Sequence, residues 1–316
     1  MPTLLRALLT WECPDPLLEP LRAIDVSVAF VPGLKTEAEM RAAIADKHAL
    51  ICHPWVPVTR AVVAAAPDLR VVSTVAVGYD NIDVAALVER QIPVSHTPGV
   101  VVEATADITY GLLLGIMRRI LAGDRYVREG GWLRAIDTFG NDLAGKTLGI
   151  VGMGAIGMAL AKRARASGMR IIYTNRRPRT DAPEATYATF EELVATADAI
   201  CVLAPLSNET AKMFDAQAFA AMKRGAYFVN AARGGIVDSQ ALYDALQSGH
   251  LTAAAVDVLD PEPIGADHPL LGLRNFFITP HIGTATFETR GAMASLCIAN
   301  VVAVLSGKPP LTPVPS

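Results

Sequence analysis

A glycine-rich turn between an apolar run and a helical pattern is the feature that most restricts how this chain can fold. Thr147–Val151 has the composition of a buried strand, and the residues up to Ala161 have helical periodicity. Between them, Gly152, Gly154 and Gly157 have the G-x-G-x-x-G spacing. Such glycines permit a tight turn, close approach of backbone amides to a pyrophosphate, and close packing of helix on strand. The segment predicts a dinucleotide site, and an ordinary glycine-rich turn is the alternative.

Short apolar runs alternate with helical patterns along the chain, which is typical of parallel sheets covered by helices on both faces. The sequence predicts a first set of strands at 4–9, 25–30, 49–52, 69–74 and 92–95. After a long helical stretch, it predicts a second set at 147–151, 170–174, 199–203, 226–230, 252–256 and 275–278. The helical stretch covers 102–121, and a last helix at about 287–306 is expected to pack against the first set. We therefore predict an α/β protein with two units, each a parallel sheet with helices on both faces.

Composition narrows the class of protein. A chain of 316 residues with 52% hydrophobic residues is long enough for two domains. The net charge of −3 gives no basic field for nucleic acid, and the apolar runs fall short of the roughly 18 residues that span a membrane. The cysteines are scattered without a C-x-x-C pair, at positions 13, 52, 201 and 297. This pattern predicts reduced thiols in a soluble cytoplasmic protein and indicates neither disulfides nor a metal site.

The end of the second strand of the dinucleotide unit carries positive charge. An acid at this point would hold the ribose hydroxyls of NAD, but the sequence has Asn175 there, followed by Arg176, Arg177 and Arg179. A guanidinium pairs well with the 2′-phosphate that distinguishes NADP from NAD. We therefore expect NADP(H) to be preferred over NAD(H), while a solvated basic loop is the alternative interpretation.

Three polar residues follow three later strands of the second set. Arg233 follows the strand at 226–230, Glu262 follows the strand at 252–256, and His281 follows the last strand. Ligands collect at the carboxyl ends of parallel strands, so these side chains are expected to form an acid/base and anion-binding set. A hydrogen-bonded polar cluster without turnover is the alternative.

The sequence resembles the D-isomer-specific 2-hydroxyacid dehydrogenases along nearly its whole length, and most closely their glyoxylate/hydroxypyruvate reductase branch. Besides the glycine turn and the three polar residues, the matching motifs are VGYDNID at 77–83, TPG at 97–99, EATAD at 103–107, PLSNET at 205–210, NAARGG at 230–235, PEP at 261–263 and PHIG at 280–283. The resemblance implies two doubly wound, Rossmann-like domains: a discontinuous substrate domain made of 1–97 and 287–316 and a dinucleotide domain at 98–286. It also implies a homodimer joined through the cofactor domain.

The resemblance also implies roles in the reduction of a 2-oxo acid. Arg233 would bind the substrate carboxylate, His281 would donate a proton to the carbonyl oxygen, and Glu262 would orient the imidazole and favour its charged form. Asp257 would orient the nicotinamide carboxamide, and Thr105 would lie near the same ring. The implied cofactor-binding set is Thr105, Gly152, Gly154, Ala155, Ile156, Gly157, Asn175, Arg176, Arg177, Pro205, Thr210, Ala231, Arg233, Asp257, His281 and Gly283.

Substrate contacts are implied for the first domain. The amides of Val77 and Gly78 resemble a second carboxylate contact, and Val77 stands where phosphite dehydrogenases carry lysine, which disfavours that oxidation. Trp55 would form an aromatic wall of the pocket, with a packing role as the alternative. Trp132 lies in a segment that, in some relatives, reaches the neighbouring subunit's pocket.

The leading interpretation is an NADPH-dependent reductase that converts small 2-oxo acids, such as glyoxylate and hydroxypyruvate, to D-2-hydroxy acids. Two alternatives share the fold. One is a corepressor-like protein that binds a dinucleotide and regulates protein partners. The other is an NAD-preferring dehydrogenase for a bulkier substrate.

Overall fold

The computed structural model describes residues 4–133 and 139–315 and divides into two compact units. The first unit consists of Met1–Val101 and Thr286–Ser316, and the second of Val102–Ala285. The boundaries expected from the sequence were 97/98 and 286/287. Residues 1–3, 134–138 and 316, which belong to the expected domains, lie outside the described residues.

The first unit is built on a five-stranded parallel sheet. Its elements up to residue 101 are β1 (Leu5–Leu9), α1 (Asp15–Arg22), β2 (Val26–Phe30), α2 (Glu37–Ile44), β3 (Ala49–Cys52), α3 (Arg60–Ala64), β4 (Val71–Thr74), α4 (Val84–Glu89) and β5 (Val94–Ser95). The strand order is β2-β1-β3-β4-β5. All residues of β3 and β4 are buried, which explains why these strands are continuous apolar or small-residue runs. Helix α2 begins with a capping box between Thr36 and Glu39.

The second unit contains a seven-stranded parallel sheet. Its elements are α5 (Val102–Met117), α6 (Ile120–Arg128), β6 (Thr147–Val151), α7 (Ala155–Ala166), β7 (Arg170–Thr174), β8 (Thr186–Tyr187), α8 (Phe190–Thr196), β9 (Ala199–Val202), α9 (Ala216–Ala221), β10 (Ala226–Asn230), α10 (Ser239–Gln247), β11 (Leu251–Val256) and β12 (Phe276–Ile278). Short 3-10 turns occur at Gly131–Leu133, Gly234–Ile236 and Pro269–Gly272. The strand order is β12-β11-β10-β9-β6-β7-β8, which is the doubly wound order. The predicted fold class is confirmed.

The structure corrects the sequence prediction at two places. The helical stretch predicted at 102–121 is interrupted, because Arg119 has the left-handed φ of 56° and the carbonyl of Met117 accepts a hydrogen bond from the amide of Asn141 at 2.8 Å. The chain therefore forms α5 and α6 instead of one helix. Strand β8 was not predicted, since its two residues, Thr186 and Tyr187, are exposed and too few to show a period.

The last helix, α11 (Phe287–Leu305), returns to the first unit and packs against β4. The thiol of Cys297 lies 3.2 Å from the carbonyl oxygen of Thr74, and Cys297, Ile298 and Val301 are buried. By length and composition alone, α11 could cross a membrane. Its buried face belongs to the core of the first unit, so we interpret it as a core helix.

Candidate active site

The carboxyl edge of the second sheet collects most of the residues singled out in the sequence. The strand order changes direction between β6 and β9, and in doubly wound sheets ligands bind at such a reversal. The glycine turn follows β6, Asn175 follows β7, Arg233 follows β10 and His281 follows β12. Because all seven strands are parallel, these chain segments leave the sheet at the same edge.

The conformation of the turn after β6 requires glycine at two positions. Gly152 has a φ of +100°, and a Cβ there would lie 2.5 Å from the amide nitrogen of Ala204. A Cβ on Gly157 would lie 2.5 Å from the carbonyl oxygen of Gly152. These contacts bring the start of α7 close against the turn. The two glycines are therefore needed by the fold itself, whatever the ligand.

Gly154 is different, because nothing lies within 4 Å of the position a Cβ would occupy. It is the N-cap of α7, and the following residue, Ala155, is exposed. The amides of Gly154, Ala155 and Ile156 therefore begin a helix of 12 residues at an open position. Free amides and the positive end of a helix dipole suit a pyrophosphate, so this part of the turn fits a dinucleotide.

The arginines after β7 are not equivalent. Arg179 forms an ion pair with Asp181, which raises the pKa of the guanidinium, and it also donates to the carbonyl of Met153 at 3.2 Å. Arg176 and Arg177 are exposed, and no ion pair within the described part of the chain involves them. Asn175 accepts a hydrogen bond from the Met153 amide at 2.7 Å. Two cations therefore remain available beside the glycine turn.

Glu262 and His281 meet although the sequence separates them by 19 residues. Oε1 of Glu262 lies 2.6 Å from Nδ1 of His281, and both side chains are partly exposed. His281 has a left-handed φ of 53°, a strained conformation for a residue with a side chain. Its amide donates to the carbonyl oxygen of Asp257 at 2.9 Å. The carboxylate of Glu262 therefore fixes the orientation of the imidazole through Nδ1.

Arg233 lies on a loop that is fixed on both sides. Asn230 donates to the carbonyl oxygen of Arg233 at 3.0 Å and accepts from the amide of Ala232 at 3.0 Å. A Cβ on Gly234 would lie 2.1 Å from the carbonyl carbon of Leu259, so the loop after β10 packs tightly on the loop that leads to Glu262. These contacts fix the backbone from which the guanidinium extends.

Asp257 binds backbone amides of the turn that carries His281, a role that the sequence did not indicate. It is only 3% exposed, and its carboxylate accepts hydrogen bonds from the Thr279 hydroxyl at 2.6 Å, the Ile282 amide at 2.9 Å and the Gly283 amide at 2.8 Å. A Cβ on Gly283 would lie 3.1 Å from Oδ2 of Asp257 and 3.7 Å from a methyl carbon of Thr105. The structure thus brings Thr105, Asp257 and Gly283 together, and Asp257 holds the turn that carries His281.

The remaining residues of the expected cofactor set lie on neighbouring loops. The hydroxyl of Thr210 donates to the carbonyl of Pro205 at 2.7 Å, which closes the loop after β9 on itself. The amide of Ala231 donates to the carbonyl of Val202 at 3.3 Å. Both loops leave the carboxyl edge of the sheet. Within residues 4–133 and 139–315, no group of three or more His, Cys, Asp or Glu side chains is arranged to hold a metal ion.

In the first unit, the Val77–Gly78 peptide has a side-chain partner that the sequence analysis missed. Nδ1 of His96 lies 2.9 Å from the carbonyl oxygen of Val77. In a trans peptide the C=O and the following N–H point in opposite directions, so this contact fixes the direction of the Gly78 amide. No sequence pattern linked His96 to Val77, because the two residues lie 19 positions apart on different strand ends.

Trp55 belongs to a stack of rings in the first unit. Its ring is 4.7 Å from that of His53 at an interplanar angle of 14°, and Trp11 lies 4.9 Å from His53 on another side. Trp55 is nonetheless 52% exposed, so it both packs and presents a surface. Burial, assisted by the charge of Arg290, lowers the pKa of His53 to about 4. Trp132 is 76% exposed.

The family profile, the curated relatives and the solved structures all indicate one family of dehydrogenases. Residues 110–283 match the profile of the D-isomer specific 2-hydroxyacid dehydrogenase, NAD binding domain. The chain is 44% identical over 303 residues to glyoxylate/hydroxypyruvate reductase B of Citrobacter koseri, covering 93% of each chain. It superposes on a glyoxylate reductase from Paecilomyes thermophila with a TM-score of 0.90, 35% identity and coverage of 100% of this chain and 99% of that one.

A further similar structure was solved with ligands. It is the NADPH-dependent glyoxylate/hydroxypyruvate reductase of Sinorhizobium meliloti in complex with NADP and malonate. The TM-score is 0.87 and the identity 31%, over 99% of this chain and 97% of that chain.

Proposed function

Because the chain belongs to the D-isomer-specific 2-hydroxyacid dehydrogenases, we propose that it is an NADPH-dependent reductase of small 2-oxo acids, glyoxylate and hydroxypyruvate foremost, with D-2-hydroxy acids as products. The observation that carries this proposal is the 2.6 Å contact between Glu262 and His281 at the sheet edge that also bears the glycine turn. The names of the relatives support the same substrate class.

The nicotinamide, when bound, supplies the hydride that adds to C2 of the substrate. His281 donates a proton from Nε2 to the carbonyl oxygen, while Nδ1 stays hydrogen-bonded to Glu262. Glu262 holds the ring in one orientation through this hydrogen bond. Asp257 keeps the turn in place through its bonds to the Ile282 and Gly283 amides, so the acid does not move when the proton leaves.

The substrate carboxylate needs a fixed cation and amide donors. Arg233 suits the first role because its guanidinium remains charged and its loop is held by Asn230. The amides of Val77 and Gly78 suit the second role. His96 is a positioning residue in this proposal, because it fixes the peptide between Val77 and Gly78.

We assign the preference for NADP(H) to the arginines that follow β7. Arg176 and Arg177 are exposed and lack ion pairs among the described residues, whereas Arg179 is already paired with Asp181. A 2′-phosphate would be a partner for the first two. The structure of the Sinorhizobium relative, named NADPH-dependent and solved with NADP, supports this assignment.

A homodimer in the cytoplasm completes the proposal. Helix α6 has no buried residue, and its apolar side chains Ile120, Leu121 and Val127 are 54%, 39% and 42% exposed. Trp132, which follows α6, is also exposed. Such a surface suits contact with a second copy. All four cysteines are free and buried, as expected for a protein of a reducing compartment.

The test is steady-state oxidation of NADPH with glyoxylate and with hydroxypyruvate, followed at 25 °C beside NADH. We expect turnover with both acids and a higher kcat/KM with NADPH. Negligible turnover with every 2-oxo acid, under saturating cofactor, would refute the reductase function and leave a binding protein. Light scattering of the same sample would show whether the active species is a dimer.

A further inference from the structure

The basic loop, residues 175–179, is held at both of its ends. At its start, the main-chain carbonyl of Asn175 accepts a hydrogen bond from the hydroxyl of Tyr187 at 3.3 Å. At its end, the amide of Arg179 donates to the hydroxyl of Tyr173 at 2.8 Å, and the same hydroxyl lies 3.4 Å from the carbonyl oxygen of Arg179. The two arginines assigned to the 2′-phosphate therefore lie on a short span between two fixed points.

A proline restricts the basic loop further. The ring of Pro178 fixes its φ at about −65°. The residue before a proline is confined to extended conformations, and here that residue is Arg177. The span between the fixed points thus has few conformations available to it. A ligand that binds this loop loses little free energy by ordering it.

Tyr173 connects the basic loop to the interior of the second unit. Its side chain is buried, at 2% exposed, within β7. Its ring packs edge-on against the ring of Tyr187 on the neighbouring strand β8, with the centroids 5.6 Å apart. A buried hydroxyl needs hydrogen-bond partners, and this one finds them on the backbone of Arg179. The end of the loop is therefore fixed by a side chain that is itself packed in the sheet.

The basic loop is also joined to the glycine turn, through Met153, which lies between the first two glycines. The amide of Met153 donates to Oδ1 of Asn175 at 2.7 Å. The carbonyl of Met153 accepts from the guanidinium of Arg179 at 3.2 Å and lies 3.4 Å from Nδ2 of Asn175. Nε of the same guanidinium lies 2.7 Å from Oδ1 of Asp181. These contacts fix the distance between the loop and the turn.

The chemistry of NADP makes that distance important. Its pyrophosphate and its 2′-phosphate are attached to the same adenosine ribose, so the two anionic groups are separated by a nearly constant distance. Donors that are already held at the matching distance lose less entropy on binding than donors on a free loop. The glycine turn suits the pyrophosphate, and Arg176 and Arg177 are exposed and without ion pairs among the described residues.

We propose that Tyr173, Asn175 and Arg179 are positioning residues for the 2′-phosphate, which hold Arg176 and Arg177 at the distance from the glycine turn that NADP requires. None of the three contacts the phosphate in this proposal. Asn175, which the sequence analysis placed in the cofactor-binding set, acts through its bonds to the glycine turn. The inference rests on the proposed preference for NADP(H), and it assigns part of that preference to the geometry of the loop.

Tyr173→Phe is the main test, because it removes a hydroxyl and no charge. Fluorescence titration should show the dissociation constant of NADPH rising about 5-fold and that of NADH less than about 2-fold, since one hydrogen bond of the loop is lost. Tyr227→Phe is the matched control. Tyr227 is 3% exposed, and its hydroxyl accepts from Asn141 at 2.7 Å near the amino end of β10. The control should bind both cofactors as the wild type does. Equal losses for the two cofactors, or no loss, in Tyr173→Phe overturn the proposal.

Arg179→Lys provides a second test at a position that is not buried. Lysine keeps the positive charge but lacks the fork that reaches both Asp181 and the Met153 carbonyl. We expect a rise of about 5-fold in the dissociation constant of NADPH and little change for NADH. Arg274→Lys, which alters an exposed ion pair with Glu129, should change neither constant. An Arg179→Lys variant that binds NADPH as tightly as the wild type overturns the role of the guanidinium.

A double-mutant cycle shows whether Tyr173 acts through the two arginines. The background is the variant in which Arg176 and Arg177 are both alanine. In that background, Tyr173→Phe should change NADPH binding less than about 2-fold, because the guanidinium groups that it positions are gone. If Tyr173→Phe weakens NADPH as much there as in the wild type, the hydroxyl supports the fold and the proposal is overturned.

The same variants separate this inference from the proposed function. If replacing Arg176 and Arg177 with alanine leaves NADPH selectivity unchanged, the 2′-phosphate assignment fails and the positioning role fails with it. If that replacement removes selectivity but Tyr173→Phe does not lower it, only the positioning role fails. Binding is measured without a 2-oxo acid, so absence of turnover would count against the reductase function alone.

Discussion

The two units have the same kind of sheet but different carboxyl edges. In both, strands are parallel and the order changes direction beside the first strand, β1 in one and β6 in the other. After β6 the chain has Gly152-Met-Gly154, whose amides are open. After β1 it has Thr10-Trp11-Glu12, where the Thr10 hydroxyl is bonded to His53 and Trp11 packs on the same ring. One edge therefore suits a pyrophosphate, and the other carries packed aromatic rings.

The comparison shows that architecture sets where a ligand binds and the edge residues set which ligand it is. The second unit places backbone donors and an acid/base pair at its edge. The first unit places the rings of Trp11, His53 and Trp55 there. Experiments on the two edges should therefore produce different kinds of defect.

The largest effect is expected from the acid of the second edge. His281→Ala should lower kcat by roughly 100-fold or more, because a positioned proton donor is lost, while NADPH affinity should remain close to that of the wild type. Stopped-flow turnover and fluorescence titration of NADPH measure the two quantities. Unchanged kcat would remove His281 from the mechanism.

A selective loss of NADPH affinity should follow removal of the basic pair after β7. Replacing Arg176 and Arg177 with alanine should weaken NADPH binding by about 1.5 to 3 kcal/mol, the scale of charged hydrogen bonds, with little change for NADH. Arg224→Ala is a matched control, since it removes an exposed arginine just before β10, at the opposite edge of the sheet. Equal losses for the two cofactors would contradict the 2′-phosphate assignment. Titration calorimetry with NADPH and with NADH measures the two affinities.

At the edge of the first unit, His53 should make the free energy of unfolding depend on pH. The pKa of His53 is about 4 when folded and 6.5 by its ordinary value, so the unfolded chain binds a proton in this window that the folded chain does not. The free energy of unfolding should therefore fall as the pH decreases from 6.5 to 4, by about 2 kcal/mol, since the ring is only partly removed from water. In His53→Gln this component should be absent. Urea unfolding midpoints of the wild type and of His53→Gln are compared at pH 7 and pH 4.5. An unaltered pH dependence in the variant would show that His53 is not its source.

Gly154 offers a sharper test of the glycine turn than the other two glycines. A Cβ there meets nothing within 4 Å, so Gly154→Ala should fold normally but hold the pyrophosphate farther from the amides. We expect NADPH to bind about 10-fold more weakly, which is about 1.4 kcal/mol. Gly272→Ala also has open space around its Cβ and should bind as the wild type does. A lower melting temperature in Gly154→Ala alone would indicate a structural cause.

The smallest effect concerns His96. His96→Ala should raise KM for glyoxylate about threefold with kcat nearly constant, because one neutral hydrogen bond to the Val77 carbonyl is lost. His96→Asn keeps a side-chain donor and should recover most of the wild-type KM. If kcat falls equally in both variants, His96 supports the fold and does not position the Gly78 amide. Steady-state kinetics with glyoxylate at saturating NADPH distinguish the two.

Much of the second unit was predictable because its signals are local. The strand before Gly152 and the helix after it lie within one short stretch of sequence, and their periods differ visibly. His281 was recognisable because it follows an apolar strand and precedes a small-residue turn. The same reasoning failed at Arg119, where a left-handed residue ends the helix and only the bond from Asn141 to Met117 explains it.

The sequence by itself determined the fold class and the residue types at each strand end, since hydrophobic periodicity and glycine spacing act over a few residues. The tertiary structure decided which of those residues are already engaged. It paired Arg179 with Asp181, directed Asp257 to the turn of His281, joined His96 to Val77 and left Arg290 without a partner among the described residues. Most of these relations join residues far apart in the chain, and even the close pair depends on how the loop folds. Which residues become partners depends on tertiary packing, and a short sequence pattern does not specify that packing.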